Sequence, residues 1–197
     1  MIVVAPGPFK GALTPAEAAR AVAAGLRLVL PGTEVRALPV ADGGEGTTDA
    51  LVAAARGRRR GVDAHDPLGR PVRVAIGELP GHVAVVELAQ ASGYERLTVD
   101  ERDPEATSTF GTGELILAAL DLGARQIVVG VGGSATTDGG LGLALALGVR
   151  AFDADGRELA GRGADMGEVA RIDVSGRDPR LDDVVIRVAC DVDTPFC

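Results

Sequence analysis

Arg125 to Gly148 reads RQIVVGVGGSATTDGGLGLALALG, and no other stretch of the chain narrows the choice of fold so far. Ile127 to Val131 is a short run dense in Val and Ile and bordered by glycine, the pattern of a strand buried on both faces of a parallel sheet. Leu141, Leu143, Ala144, Leu145 and Leu147 follow and are closed by Gly148, the pattern of a short buried helix with a glycine stop. Between strand and helix lie Gly132, Gly133, Ser134, Ala135, Thr136, Thr137, Asp138, Gly139 and Gly140, where small residues let the backbone turn and approach a ligand closely. Bare N–H groups at a helix start, aided by the helix dipole and the hydroxyls of Ser134, Thr136 and Thr137, favour an anion such as phosphate. An ordinary strand-to-helix turn would use the same residues without a ligand.

The rest of the composition agrees with an α/β protein. Hydrophobic residues make up 46% of the 197 positions while aromatics make up 3%, so the core must be built from Ala, Val and Leu packed between layers. The formal net charge of −8 argues against a nucleic-acid or anionic membrane surface, because phosphate backbones repel an acidic domain. Arg58, Arg59 and Arg60 form the one basic run, and such a run reads as a solvated strand edge. No apolar run reaches bilayer length, the N-terminal MIVVAP lacks a signal peptide's basic region, and Cys190 and Cys197 show no framework spacing. These features lead to the expectation of a cytoplasmic protein with reduced thiols. Lys10 is the only lysine among 20 basic residues, which singles it out as a compact charge for phosphate or substrate.

In chain order, Ile2 to Ala5 reads as a strand and Thr14-Pro15-Ala16-Glu17 as a capping box that starts a helix running to about Leu30. Lys10 then falls in a strand-to-helix loop, where ligands of open α/β sheets collect. Glu34 to Val40 reads as a second strand. Its loop, Asp42-Gly43-Gly44-Glu45-Gly46-Thr47-Thr48-Asp49, repeats the chemistry of the central one before a helix around Ala50 to Arg56. Asp42 and Glu45 suit metal or hydroxyl contacts, with capping and turn formation as the plain alternative. From Arg58 to Ala91 short alternating runs separated by Asp66-Pro67-Leu68-Gly69 and Leu79-Pro80-Gly81 predict an antiparallel meander, with a domain boundary near residue 65 and His65 and His82 at turns or edges. Thr109, Gly111 and Thr112 stand at the start of a helix through Leu120 and form a further candidate anion cradle. Val149 to Phe152 with the Asp153–Gly156 turn reads as a hairpin, Glu168 to Ile172 as a helical turn, and Val184 to Ala189 as a buried strand. That strand delivers Asp191 and Asp193, which alternate onto one side and suit a cation such as Mg²⁺ or a substrate proton.

The P-loop pattern and the protein-kinase motifs are absent from the sequence. Gly130 to Ala135 does match the relaxed dinucleotide fingerprint, with Asp153 about 20 residues on as the ribose acid, so an NAD-dependent oxidoreductase is one alternative reading. A non-catalytic ligand-binding fragment is another.

Several segments then resemble, in order, the motifs of the bacterial class I glycerate kinase family: APGPFKGALTPAEAARAVAAGL, PVADGGEGTTDAL, DPLGRPV, RDPEATSTFGTGELILAAL, GVGGSATTDGGLGLALALGV and ACDVDTPF. The resemblance implies ATP- and Mg²⁺-dependent phosphorylation of D-glycerate, generally to 2-phosphoglycerate. It also implies an α/β fold in which a Rossmann-like parallel-sheet portion, residues 1–65, is followed by a second, mixed α/β domain inserted into it, residues 66–197. Family members continue beyond this segment, so the chain reads as roughly the N-terminal half, the second domain is expected to be incomplete, and activity is expected to need the remainder. Gly7 and Pro8 stand where the family has Asp and Ser. Lys10, Asp42 and Asp191 are the expected catalytic residues. Gly43, Gly44, Glu45, Thr109, Gly111, Thr112, Gly132, Gly133, Ser134, Thr136, Thr137 and Asp138 are expected to bind phosphate or substrate, and Asp191 and Asp193 the metal. The expected partners are the small-molecule substrate and a second copy of the chain in a homodimer, with neither nucleic acid nor membrane.

Overall fold

Strand β1 (Ile2–Val4) and strand β2 (Val35–Ala37) pair in parallel, joined by helix α1 (Pro15–Val29), in a computed structural model that describes residues 1–7, 9, 12–40, 42–190 and 192. Helix α1 starts where its capping box requires: the Thr14 side chain accepts from the Glu17 N–H at 3.3 Å, and the Glu17 carboxylate accepts from the Thr14 N–H at 2.9 Å. Ala19 and Ala23 face inward against Val4 and Val35, a small core of its own.

The second unit is built on a five-stranded sheet. Strands β3 (Arg58–His65), β4 (Pro71–Leu79) and β5 (Val83–Glu87) form the expected antiparallel meander. Strands β6 (Gln126–Gly130) and β9 (Val185–Ala189) then add in parallel, giving the order β3-β4-β5-β6-β9. β3 and β4 pair across the expected boundary at residue 65, up to His65 opposite Pro71, so the change of sheet falls before Arg58. Arg58 and Arg60 lie on this edge and both bond Glu78 of β4, at 2.7 and 2.6 Å.

Strand alternation assigns the two faces. Ala84 and Val86 of β5 and Ile127 and Val129 of β6 meet Leu115, Ile116 and Ala119 of helix α4 (Phe110–Asp121) in the main core. On the opposite face Gly77 and Val85 lie under helix α2 (Thr47–Ala55), whose Val52 and Thr48 methyls would touch any side chain placed at Gly77. Burying these apolar surfaces at about 25 cal/mol per Å² is the main force holding helix to sheet.

Helix α3 (Leu88–Ser92) continues directly from β5, and helix α5 (Leu141–Ala146) packs on α4. A two-stranded antiparallel sheet, β7 (Arg150–Phe152) with β8 (Arg171–Asp173), closes the described chain's outer side, the Arg171 guanidinium stacked 3.8 Å over the Phe152 ring.

Two local expectations are corrected. Residues 168–172 do not form a helical turn: a 3₁₀ segment ends at Glu168 and Arg171 to Asp173 pair as β8. Val184 to Ala189 is a strand but not a buried one, since Val185 and Val188 of β9 are 55% and 62% exposed and no described element covers them. No helix among the described residues is long and apolar enough to cross a membrane.

Candidate functional site

The carboxyl ends of β5, β6 and β9 lie in one register row, Glu87 beside Gly130 beside Ala189. Against this row the Asp42–Asp49 loop crosses the loop that follows β6. The Gly132 N–H donates to the Gly43 carbonyl at 3.0 Å, and a side chain at Gly132 would stand 2.7 Å from the Gly44 Cα. Gly43 has φ +91°, and a side chain there would collide with the Ala189 carbonyl. Only glycine lets these backbones meet. On the other side the Tyr94 N–H donates to the Gly133 carbonyl at 3.1 Å, and the Ala135 N–H donates to the Ser92 carbonyl at 2.9 Å.

Beside this crossing opens a cleft of about 400 Å³ between the start of α1, the 42–49 loop and the β5–α3 junction. Its described lining carries Glu17, Glu45, Asp49, Glu87 and Glu95 against one arginine, Arg59, which pairs with Asp49 at 3.2 Å. The Thr14 N–H and hydroxyl hold the Glu17 carboxyl below its usual range.

Glu87 is the residue that sequence reasoning missed. Helix α2 begins after Gly46, which has no side chain to cap it. The Glu87 carboxylate, 1% exposed, takes that role from β5: it accepts the Gly46 N–H at 3.4 Å and the Thr48 N–H. Backbone donors and the helix dipole offset the cost of burying its charge. The signal is strand parity, since Glu87 shares the face of Val85 that α2 covers.

The predicted residues divide. Asp42, Gly43, Gly44 and Glu45 are brought together with Gly132 and Gly133 at the crossing, and Glu45 lines the cleft. Asp42 Oδ1 accepts from its own loop's Gly44 N–H at 3.0 Å. Ser134 and Thr136 hydroxyls bond each other at 2.7 Å, and the Thr137 hydroxyl donates to the Pro104 carbonyl at 3.1 Å, so these three serve their own loop and its neighbour.

The expected cradle at Thr109, Gly111 and Thr112 is corrected: the protein's own Asp138 fills it. Asp138, 1% exposed, accepts from the Thr109 N–H at 2.8 Å, the Thr109 hydroxyl at 2.7 Å and the Gly142 N–H at 3.1 Å. One carboxylate therefore satisfies the starts of α4 and α5 together and is not available to phosphate. Gly111 packs on the His65 carbonyl, and the Thr112 hydroxyl is bonded to that of Ser92 at 2.8 Å. Lys10, Asp191 and Asp193 lie outside the described residues.

Dinucleotide geometry is not present at Gly130 to Ala135. No helix starts there, since α5 begins at Leu141, and Asp153 follows β7, which belongs to a different sheet from β6. Among the described residues no three His, Cys, Asp or Glu side chains gather closely enough to hold a metal ion.

Glycine loops meeting at the carboxyl edge of parallel strands define an open α/β protein with a cleft on the edge where such sheets place their ligands. The glycerate kinase family model matches residues 2–197, and the chain belongs to that family. It is 50% identical to a glycerate kinase of Bacillus subtilis (strain 168), over 99% of this chain and 51% of that protein. It is 47% identical to a glycerate 2-kinase of Escherichia coli (strain K12), over 99% of this chain and 51% of that one. A crystal structure from Salmonella typhimurium LT2, provisionally named glycerate kinase 2, superposes with a TM-score of 0.84 at 45% identity, over 99% of this chain and 52% of that one. The chain thus spans about half the length of the relatives it matches.

Proposed function

We propose that this chain supplies the substrate-facing half of an ATP-dependent kinase that phosphorylates D-glycerate, with 2-phosphoglycerate as product, in the cytoplasm. The observation that carries the reading is the crossing of the Gly43 and Gly132 loops at the ends of β5, β6 and β9, which sets the 42–49 loop, one wall of the cleft, against the carboxyl edge of these strands. The family names of the relatives, glycerate kinase and glycerate 2-kinase, agree with it.

The cleft's excess of carboxylates repels glycerate and triphosphate unless cations intervene, so the donor set fits a divalent ion carried in with the nucleotide. Mg²⁺ usually keeps several waters and takes one or two carboxylates alongside phosphate oxygens, and Asp42 and Glu45, with Asp191 and Asp193, are the residues we assign to hold it. When bound it would neutralise charge on the phosphates. Lys10 supplies a compact charge to phosphate or substrate, and Asp42 or Asp191 accepts the glycerate hydroxyl proton. Residues 1–57 serve as part of a Rossmann-like domain and residues 58–197 as part of the inserted one, and the protein works as a homodimer.

Steady-state turnover of the full-length protein with Mg-ATP and D-glycerate tests the proposal. Formation of 2-phosphoglycerate, with a thermal shift by Mg-ATP and none by NAD, is expected. Stabilisation by NAD alone would favour the oxidoreductase reading, and ligand-induced shifts without turnover a non-catalytic binding role.

A further inference from the structure

One wall of the cleft holds a polar pair whose hydrogen-bonding capacity the fold leaves incomplete. Thr48 is 3% exposed, and its hydroxyl has no hydrogen-bond partner among the described residues. Its methyl group faces Gly77 of β4, so the sheet side of this side chain is already filled. Glu87, whose carboxylate accepts the Thr48 N–H, stands beside it, and both residues line the cleft. A carboxylate offers about four acceptor positions and a hydroxyl one donor and two acceptors, so two backbone bonds leave Glu87 able to accept again. Buried polar groups in native proteins are almost always paired, which makes an unpaired hydroxyl on a cleft wall a marker for a ligand atom.

The chemistry of the pair selects among ligands. An anion is disfavoured, since Glu87 already occupies the start of α2 with negative charge. A bare metal ion is disfavoured as well, because no third ligating side chain is near among the described residues. A group that both accepts and donates matches a threonine hydroxyl beside a carboxylate, and that group is an alcohol.

We infer that Thr48 and Glu87 form a hydroxyl-recognition subsite, in which the Thr48 hydroxyl donates to a ligand alcohol oxygen and the Glu87 carboxylate accepts that alcohol's proton in a hydrogen bond. The inference rests on the kinase reading, which brings two alcohol-bearing ligands to the cleft: glycerate and the ribose of ATP.

The test is the Thr48→Val and Thr48→Ser pair in the full-length protein, with KM determined separately for D-glycerate and for Mg-ATP. Valine is isosteric and removes an unpaired buried hydroxyl, so the ligand-free variant should melt no lower than wild type, which separates binding from a structural role. KM for one substrate should rise about tenfold, as expected for the loss of roughly one good hydrogen bond, and Thr48→Ser should restore it. If glycerate is the source, wild type but not Thr48→Val prefers it over lactate, which keeps the reacting C2 hydroxyl and lacks the one at C3. If ribose is the source, the two proteins differ on ATP and agree on 2′-deoxy- or 3′-deoxy-ATP. Unchanged KM for both substrates in an active, folded Thr48→Val protein overturns the subsite while leaving the kinase reading standing. Absence of turnover in wild type overturns the kinase reading instead, and the subsite is then judged by whether Thr48→Val loses the thermal shift given by D-glycerate or by ATP; no difference from wild type overturns it.

Discussion

Asp138 and Thr109 are 29 positions apart in sequence, yet one Asp138 carboxylate oxygen receives both the backbone N–H and the hydroxyl of Thr109, at 2.8 and 2.7 Å. The same oxygen receives the Gly142 N–H, and its partner oxygen the Gly140 N–H at 3.1 Å. One side chain thus ties the start of α4 to the start of α5 and makes a single block of the two helices behind β6. Replacing it by alanine strands several buried donors, so Asp138→Ala should destabilise the protein by about 3 kcal/mol. At this size that is a fall in melting temperature of roughly 10 °C. A smaller effect than that of an exposed Asp155→Ala control would remove Asp138 from the framework.

The backbone crossing makes a sharper demand. Gly132→Ala places a methyl 2.7 Å from the Gly44 Cα and 2.9 Å from the Gly44 nitrogen, atoms that cannot rotate away. The expected cost is about 1–3 kcal/mol, with a loss of kcat/KM of up to about 100-fold if the displaced 42–49 loop carries ligand contacts. Gly167→Ala, whose methyl would meet open space, should leave both stability and turnover within error. Equal behaviour of the two variants would mean that the loops separate at no cost.

Arg58 and Arg60 hold the Glu78 carboxyl down to about 2, from an ordinary value of 4.5. Because the folded pKa is the lower one, the contribution is fully present above pH 4.5 and disappears as pH falls toward 2. Glu78→Gln should therefore lower the melting temperature at pH 7, with the difference from wild type shrinking between pH 4.5 and 2 and weakening in high salt. A difference that stays constant over that window would assign the effect to packing rather than charge.

Local signals were legible in the sequence and non-local ones were not. The Thr14–Glu17 box and the run from Ile127 into the glycines are written in adjacent residues, and the helix start and β6 follow them closely. The apparent cradle at Thr109 to Thr112 reads as vacant because the group that fills it, Asp138, comes from a distant loop. Glu87 escaped for the opposite reason: an acid at a strand end reads as solvent-facing, and its burial depends on Gly46 lacking a capping side chain far away in the chain. The apolar run of β9 reads as a core strand, yet Val185 and Val188 meet solvent because no described element lies over them.

We propose that the 42–49 loop, held where Gly132 crosses Gly43, forms one wall of a cleft for the kinase's small-molecule substrate. A crystal structure of the full-length protein with D-glycerate and a non-hydrolysable Mg-ATP analogue tests it most directly. Ligand density is expected in the cleft lined by Glu45, Thr48, Glu87 and Glu95. Both ligands bound elsewhere, with that cleft holding only solvent, would contradict it.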